Sequence, residues 1–396
     1  MNGVPTTLEA LRQLSAADAE RLGTSHTLGE ILQQPRLWKE TARLIEERRA
    51  ELADFFGKAG MFDLTAPQVV LIGAGSSDYV AQLVAPAFRA RFGVTTQALP
   101  STDLLTQLST LLCARQRYLF VWFSRSGTTP EALELLPLLE RAFADSSHLI
   151  VTCNATGELA RRALAAARLS LVLPDAANDR GLAMTSSFTC MALAGLLSVG
   201  SEGNVRKVAE LSAVAERILA GTAVSELARS NHRSACFLGS GALRAAAGEC
   251  SLKLTELSAG YVSTRCESFL GLRHGPLASV NRDTLLVGLL SSEPEERLYE
   301  LELIREVREK SLAGTIALVT PRYDARAEQL ADVVVDLGFS APLSAPLRPL
   351  LDVTVGQVVA LLSSLKCGVR PDFPSENGAI ARVVQGIRPR GAAAGG

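Results

Sequence analysis

One pattern occurs twice in this chain of 396 residues: a short apolar run ends in a glycine-bearing turn and opens into a helical stretch. Val69-Val70-Leu71-Ile72 runs into Gly73-Ala74-Gly75-Ser76-Ser77, and Cys236-Phe237-Leu238 runs into Gly239-Ser240-Gly241-Ala242, an offset of 239 − 73 = 166 residues. Further apolar runs keep nearly that offset: Leu119 to Phe123 with Leu285 to Leu290, His148 to Thr152 with Thr315 to Val319, and Leu169 to Leu173 with Val333 to Leu337. Self-similarity at one offset marks a duplicated unit. Runs this short and continuously apolar read as strands buried on both faces. Alternating with helical stretches, they imply parallel sheets covered on both sides, with ligand sites at the carboxyl ends of the strands. The expected fold class is α/β, a doubly wound, flavodoxin-like parallel sheet built twice in tandem.

Apolar positions at helical spacing over residues 37 to 58 predict an N-terminal helical segment, 1–60, acting as a lid or brace. The first unit is then 61–203, a linking helix covers 204–230, the second unit with a C-terminal segment is 231–387, and a Gly/Ala-rich tail, 388–396, is expected to fray. Lys and Arg (40) nearly balance Asp and Glu (41) and form no long basic run, which argues against a general nucleic-acid binder and makes any phosphate site local. Seven scattered cysteines, without a CxxC pair or a Cys/His metal spacing, fit a reduced, cytoplasmic compartment and no metal. The N-terminus lacks the basic-then-apolar order of a signal peptide, and the most apolar helix-like run, Thr189 to Gly200, is too short to span a bilayer, so no membrane partner is expected.

The strongest local signal follows the run YLFVWF: Ser124-Arg125-Ser126-Gly127-Thr128-Thr129-Pro130-Glu131. Thr129 suits an N-cap, Pro130 the first helical position and Glu131 the first turn, so free amides of a helix start join several hydroxyls in an anion cradle. A loop of this composition can equally be a cap and turn only. The Gly73 turn lacks the dinucleotide fingerprint, because Asp78 stands where its last glycine belongs, and Ser76 and Ser77 suit a second wall of a phosphosugar pocket better. Glu249, Lys253 and Glu256 fall at i, i+4 and i+7, on one helical face, which is either a solvated salt-bridged stripe or a site. Gly271-Leu272-Arg273-His274-Gly275-Pro276 sets an imidazole in a rigid turn, where it could move a proton near neutral pH. His26, His148 and His232 have no such setting.

At these residues the sequence resembles the sugar isomerase (SIS) family over nearly its whole length. It is similar to the isomerase half of glucosamine-6-phosphate synthase and, more so, to bacterial galactosamine-6-phosphate deaminase/isomerases, through ESFLGLRHGP (267–276), NDRGLAMTSSFT (178–189) and RPDFPSENGAIARVVQGI (370–387). The resemblance implies two tandem SIS domains. It implies that Ser124, Ser126 and Thr129 bind the substrate phosphate, with Arg125 where a glutamine is usual, its charge suited to phosphate. Gly75, Ser76 and Ser77 match the family's first turn, and Leu182 and Ala183 match its backbone contacts to the sugar, with Ser186 in place of a frequent lysine.

The same resemblance places the proton-shuttling glutamate at Glu256, a helical lysine at Lys253 and the ring-opening histidine at His274, which in the synthase comes from the neighbouring subunit. A homodimer or higher homo-oligomer follows if the site is built alike. A family lysine over the substrate falls on Arg382, which cannot form a Schiff base and is left charge stabilisation or contact with phosphate and hydroxyls. The implied activity is conversion of galactosamine 6-phosphate to tagatose 6-phosphate and ammonia by acid/base catalysis, without a cofactor. It would be classed as hydrolysis of a C–N bond or as an intramolecular oxidoreduction. A plain aldose/ketose isomerase and a non-catalytic sugar-phosphate-binding regulator are the alternatives.

Overall fold

The computed structural model describes residues 5–162, 167–200, 204–339 and 346–384. The expected tail, 388–396, and the last residues of the 370–387 motif lie outside them. Ten strands form two five-stranded sheets: β1 (Gln68–Gly73), β2 (Thr96–Pro100), β3 (Tyr118–Ser124), β4 (Ser147–Thr152) and β5 (Arg168–Val172) in one, β6 (Ser234–Leu238), β7 (Ser263–Glu267), β8 (Thr284–Leu289), β9 (Thr315–Thr320) and β10 (Val333–Asp336) in the other. The first sheet runs β2-β1-β3-β4-β5. The second, read from its far edge, runs β7-β6-β8-β9-β10, the same order. Every pairing is parallel. The fold is thus the expected α/β one, two tandem doubly wound sheets, and each has its topological switch point beside its first strand, between β1 and β3 or between β6 and β8.

The two sheets share a core. Alternate residues point to opposite faces of a strand, so Val69 and Leu71 of β1 face a central cluster that also takes Phe237 of β6 and Val287 of β8, while Val70 and Ile72 face an outer cluster of the first sheet. Leu238 and Leu286 face the outer cluster of the second. Through the centre runs the helix Pro349–Lys366, packed along the helix Ala242–Leu257. It is long and apolar enough to cross a membrane, but 94% of it is buried inside this fold. Gly356 makes the crossing possible, since a Cβ there would lie 2.2 Å from Cys250 Sγ.

Each β1-type strand ends in the same glycine turn. Gly75 (φ 55°, ψ −125°) and Gly241 (φ 56°, ψ −126°) hold nearly identical left-handed conformations that an L side chain would strain. A Cβ at Gly73 or Gly239 would meet the carbonyl oxygen of Ser77 or Leu243 at 2.1 and 2.2 Å.

The N-terminal segment is a run of short helices, the longest Gln34–Glu47 and Arg49–Lys58. It is pinned by a buried polar chain: Trp38 Nε1 donates to Thr189 Oγ1 (2.9 Å), which donates to Gln34 Oε1 (2.7 Å), and Gln34 Nε2 donates to Gln357 Oε1 (2.8 Å). His148 is part of the scaffold. Trp122 Nε1 donates to its Nδ1 at 3.1 Å, which leaves Nε2–H for Ser146 Oγ, and burial lowers its pKa to about 4.

Candidate active site

The carboxyl ends of β1 and β3 open on a cleft of about 480 Å³ at the first switch point. The turn Gly73 to Ser77, with Gly75, Ser76 and Ser77, forms one wall, and Ser124, Arg125, Ser126 and Thr129 form the other. Leu182, Glu256 and Arg382 complete the lining among the residues assigned from sequence.

The loop after β3 is held open as a cradle by its own hydroxyls. Ser124 Oγ accepts the Gly127 amide (3.2 Å) and Ser126 Oγ accepts the Thr128 amide (3.2 Å), with Gly127 in the left-handed region at φ 62°. Each hydroxyl uses a lone pair this way and keeps its proton for an anion. Thr129 occupies the N-cap position and Pro130 opens the helix Pro130–Ala142, but the Thr129 hydroxyl makes no capping bond, unlike the expectation from sequence. The first-turn amides are therefore left without a side-chain partner, as an anion site at a helix N-terminus requires.

Lys253 lies behind the Ser76 wall, fully buried on the helix Ala242–Leu257. Its ammonium donates to Ser76 Oγ at 2.8 Å and to Glu256, and sits 3.5 Å from Glu249 Oε1. Burial works to lower its pKa, but the two glutamates outweigh burial and hold it above the ordinary range. Glu249 is wholly buried, and burial pushes its carboxyl up to about 8 against the pull of Lys253. The stripe seen in the sequence is thus a buried acid–base–acid row, and only Glu256, at the cleft, reaches solvent.

The two arginines line the cleft and also bond to backbone carbonyls around it. Arg125, buried, donates to the Leu182 carbonyl (3.2 Å) and to the carbonyl of Arg382. Arg382 donates through Nε to the Asp179 carbonyl (2.8 Å) and through Nη2 to Asn178 Oδ1 (2.7 Å). Together they tie the 178–182 loop and the 378–384 segment into one side of the cleft. Asp179 then caps the helix Ser186–Ser198, accepting the amides of Thr185, Ser186 and Ser187 at 2.8 to 3.0 Å, which accounts for the NDRGLAMTSSFT motif. Ser186, at the family's lysine position, donates to the Glu30 carbonyl at 2.6 Å inside the structure. Ala183 is buried and does not line the cleft.

His274 is not brought to the cleft by its own chain. It lies in an exposed turn after β7, its amide bonded to the Gly271 carbonyl (3.0 Å), and among the described residues no histidine lines the cleft. Sequence reasoning passed over Trp122, Glu131 and Met184 as lining residues, and over Glu30, which holds the loop carrying Leu182. Glu30 Oε1 accepts the amides of Arg180 and Gly181, so an N-terminal helix fixes the loop that carries Leu182. Burial, then Asp179 and Asp372, push its carboxyl up to about 7 against those amides. Its neighbours in sequence carry no motif that would have marked it.

Comparison with known proteins agrees with the fold. The SIS domain description matches residues 64–199. The D-galactosamine-6-phosphate deaminase AgaS of a Shewanella species is 31% identical over 383 residues, covering 94% of this chain and 94% of the relative. A Streptomyces coelicolor chain, provisionally named as the same deaminase, is 37% identical, covering 91% and 94%. Among solved structures, tagatose-6-phosphate ketose/aldose isomerase from Escherichia coli superposes with a TM-score of 0.83 at 29% identity, over 88% of this chain and 94% of that one. With relatives this similar along almost its full length, the chain belongs to the SIS-domain family of AgaS-type proteins.

Proposed function

We propose that this chain is an amino-sugar-phosphate deaminase/isomerase that converts galactosamine 6-phosphate and water to tagatose 6-phosphate and ammonia. The observation that carries the reading is Glu256, an acid at the mouth of a phosphate cradle, held by a lysine that also holds the cradle's own Ser76. The phosphate lies against Ser124, Ser126, Thr129 and the free helix amides, with Ser77 and the Gly75 turn opposite. Leu182 carries the backbone beside the sugar, with Ala183 buried next to it, and Arg125 and Arg382 keep that side in place and add positive charge to it.

Ring opening needs a proton moved between O5 and O1, the work of His274 supplied by a second copy of the chain. Glu256 then takes the C2 proton and returns it at C1, and the C=N bond formed at C2 is hydrolysed, so that water supplies the ketose oxygen and nitrogen leaves as ammonia. Lys253, bonded to Glu256, holds it in place. We class the reaction as hydrolysis of a C–N bond and place the chain in the cytoplasm, where its seven free cysteines would stay reduced.

A second reading, a plain aldose/ketose isomerase, is favoured by the name of the Escherichia coli structure and uses the same residues. The purified protein given galactosamine 6-phosphate, glucosamine 6-phosphate and galactose 6-phosphate in turn separates the two. Ammonia from the first substrate supports the deaminase. Tagatose 6-phosphate from galactose 6-phosphate, with no ammonia from either amino sugar, replaces it with the isomerase.

A further inference from the structure

The duplicated fold builds a second switch point, between β6 and β8, with the same turn geometry as the first. In the first half the gap between turn and loop is the open cleft. In the second half a side chain fills it. Ser240, in the turn after β6, donates its hydroxyl proton to Glu300 Oε1 at 2.8 Å, and the amide of Ser291, in the loop after β8, donates to Glu300 Oε2 at 2.6 Å. One carboxylate therefore bridges the ends of β6 and β8. Glu300 is 2% exposed, and Arg348, equally buried, adds positive charge nearby.

The filling residue is a divergence between the two copies. The helix after β3 opens at Pro130 and the helix after β8 at Pro294. Six residues on from each proline stand Leu136 (130 + 6) and Glu300 (294 + 6). Leu136 is packed in the outer apolar cluster of the first sheet, whereas Glu300 turns an acid into the strand ends. A buried carboxylate is tolerated only where donors meet it, and here those donors are a turn hydroxyl and a loop amide, the two kinds of donor that the first half offers to an external anion. Burial still pushes the Glu300 carboxyl above its ordinary range, against the Ser291 amide, the Ser240 hydroxyl and Arg348.

We propose that Glu300 is the resident anion of the second half: the β6/β8 cradle is an anion site occupied by the chain's own carboxylate, leaving one open sugar-phosphate site per chain. The proposal concerns the second half alone and holds whatever sugar the first half turns over. Glutamine at this position keeps the cradle closed, because its carbonyl can accept the Ser291 amide while its NH₂ donates to Ser240. Alanine opens it.

Equilibrium dialysis of labelled inorganic phosphate against the full-length native chain, E300Q and E300A measures this directly. Expected is one more equivalent bound per chain by E300A than by the native chain or E300Q, and a rise in Tm with phosphate that is several degrees larger for E300A. If E300A unfolds in phosphate-free buffer, phosphate is expected to restore its fold. A folded E300A binding no more phosphate than the native chain overturns the proposal, as does an unfolded E300A that phosphate does not recover or an E300Q that binds the extra equivalent.

Discussion

Lys253, on a helix of the second half, donates to Ser76 Oγ, in the first turn of the first half, at 2.8 Å. This bond crosses the duplication, and it fixes the acid Glu256 against the phosphate cradle. A lysine buried between two carboxylates is stable only while the charges balance. Lys253→Met should destabilise the chain by about 3–5 kcal/mol in urea unfolding, since it strands the buried Glu249 and takes the partner from Glu256. The double variant E249Q/K253M should regain much of that stability while remaining poorly active. Recovery of both together would mean that Lys253 is structural only.

Glu256→Gln removes the base and keeps the shape. Turnover should fall on the order of 10²- to 10⁴-fold with KM little changed. Because His274 stands in an exposed turn outside its own chain's cleft, chains carrying E256Q and chains carrying H274A, each nearly inactive alone, should regain activity when unfolded and refolded together. Absence of complementation in a mixture shown to form hybrid oligomers would take His274 out of the mechanism.

Glu30 makes stability depend on pH. Its folded pKa, about 7, lies above the 4.5 of an unperturbed glutamate, so the folded chain binds the extra proton and gains stability from it below about pH 4.5. That gain is lost as pH rises towards 7. At about 1.4 kcal/mol per pKa unit, the unfolding free energy of the native chain relative to E30Q should fall by on the order of 2–3 kcal/mol over this range. A difference that is flat with pH would contradict the assignment.

Gly356→Ala sets two effects against each other. Alanine improves helix propensity by about 1 kcal/mol, but its Cβ would lie 2.2 Å from Cys250 Sγ, and overpacking of this kind typically costs about 1–3 kcal/mol. The net should be a loss, relieved only in part in C250A/G356A, because C250A removes the sulfur but leaves a Cβ that would lie 2.7 Å from the new one. Chemical denaturation of the two variants reads this directly.

The parts of the molecule legible in sequence are those with a local pattern. The inner strands are apolar on both faces and stand out; β2 and β7, at sheet edges, carry few apolar residues (Thr96–Pro100 is TQALP and Ser263–Glu267 is STRCE) and went unread. Glycine turns and the Pro130 helix start are written in residue types that only those conformations require. The partners of Arg125 and Arg382 are mostly backbone carbonyls, which leave no trace in the side chains around them, so their bracing of the 178–182 loop was not legible. Glu30 acts on a loop about 150 residues away, and no periodicity links them. The Glu249/Lys253/Glu256 spacing did mark one face, but whether that face was wet or buried depended on the helix Pro349–Lys366 and the first half packing over it.

The central claim, that nitrogen leaves as Glu256 moves the C2 proton, is tested most directly by following ammonia and tagatose 6-phosphate in one time course from galactosamine 6-phosphate, with the native chain and E256Q side by side. Equal accumulation of the two products by the native chain, and a rate lower by on the order of 10²-fold or more for both products with E256Q, is the predicted result. Ketose phosphate without ammonia, or ammonia released as fast by E256Q, would contradict it.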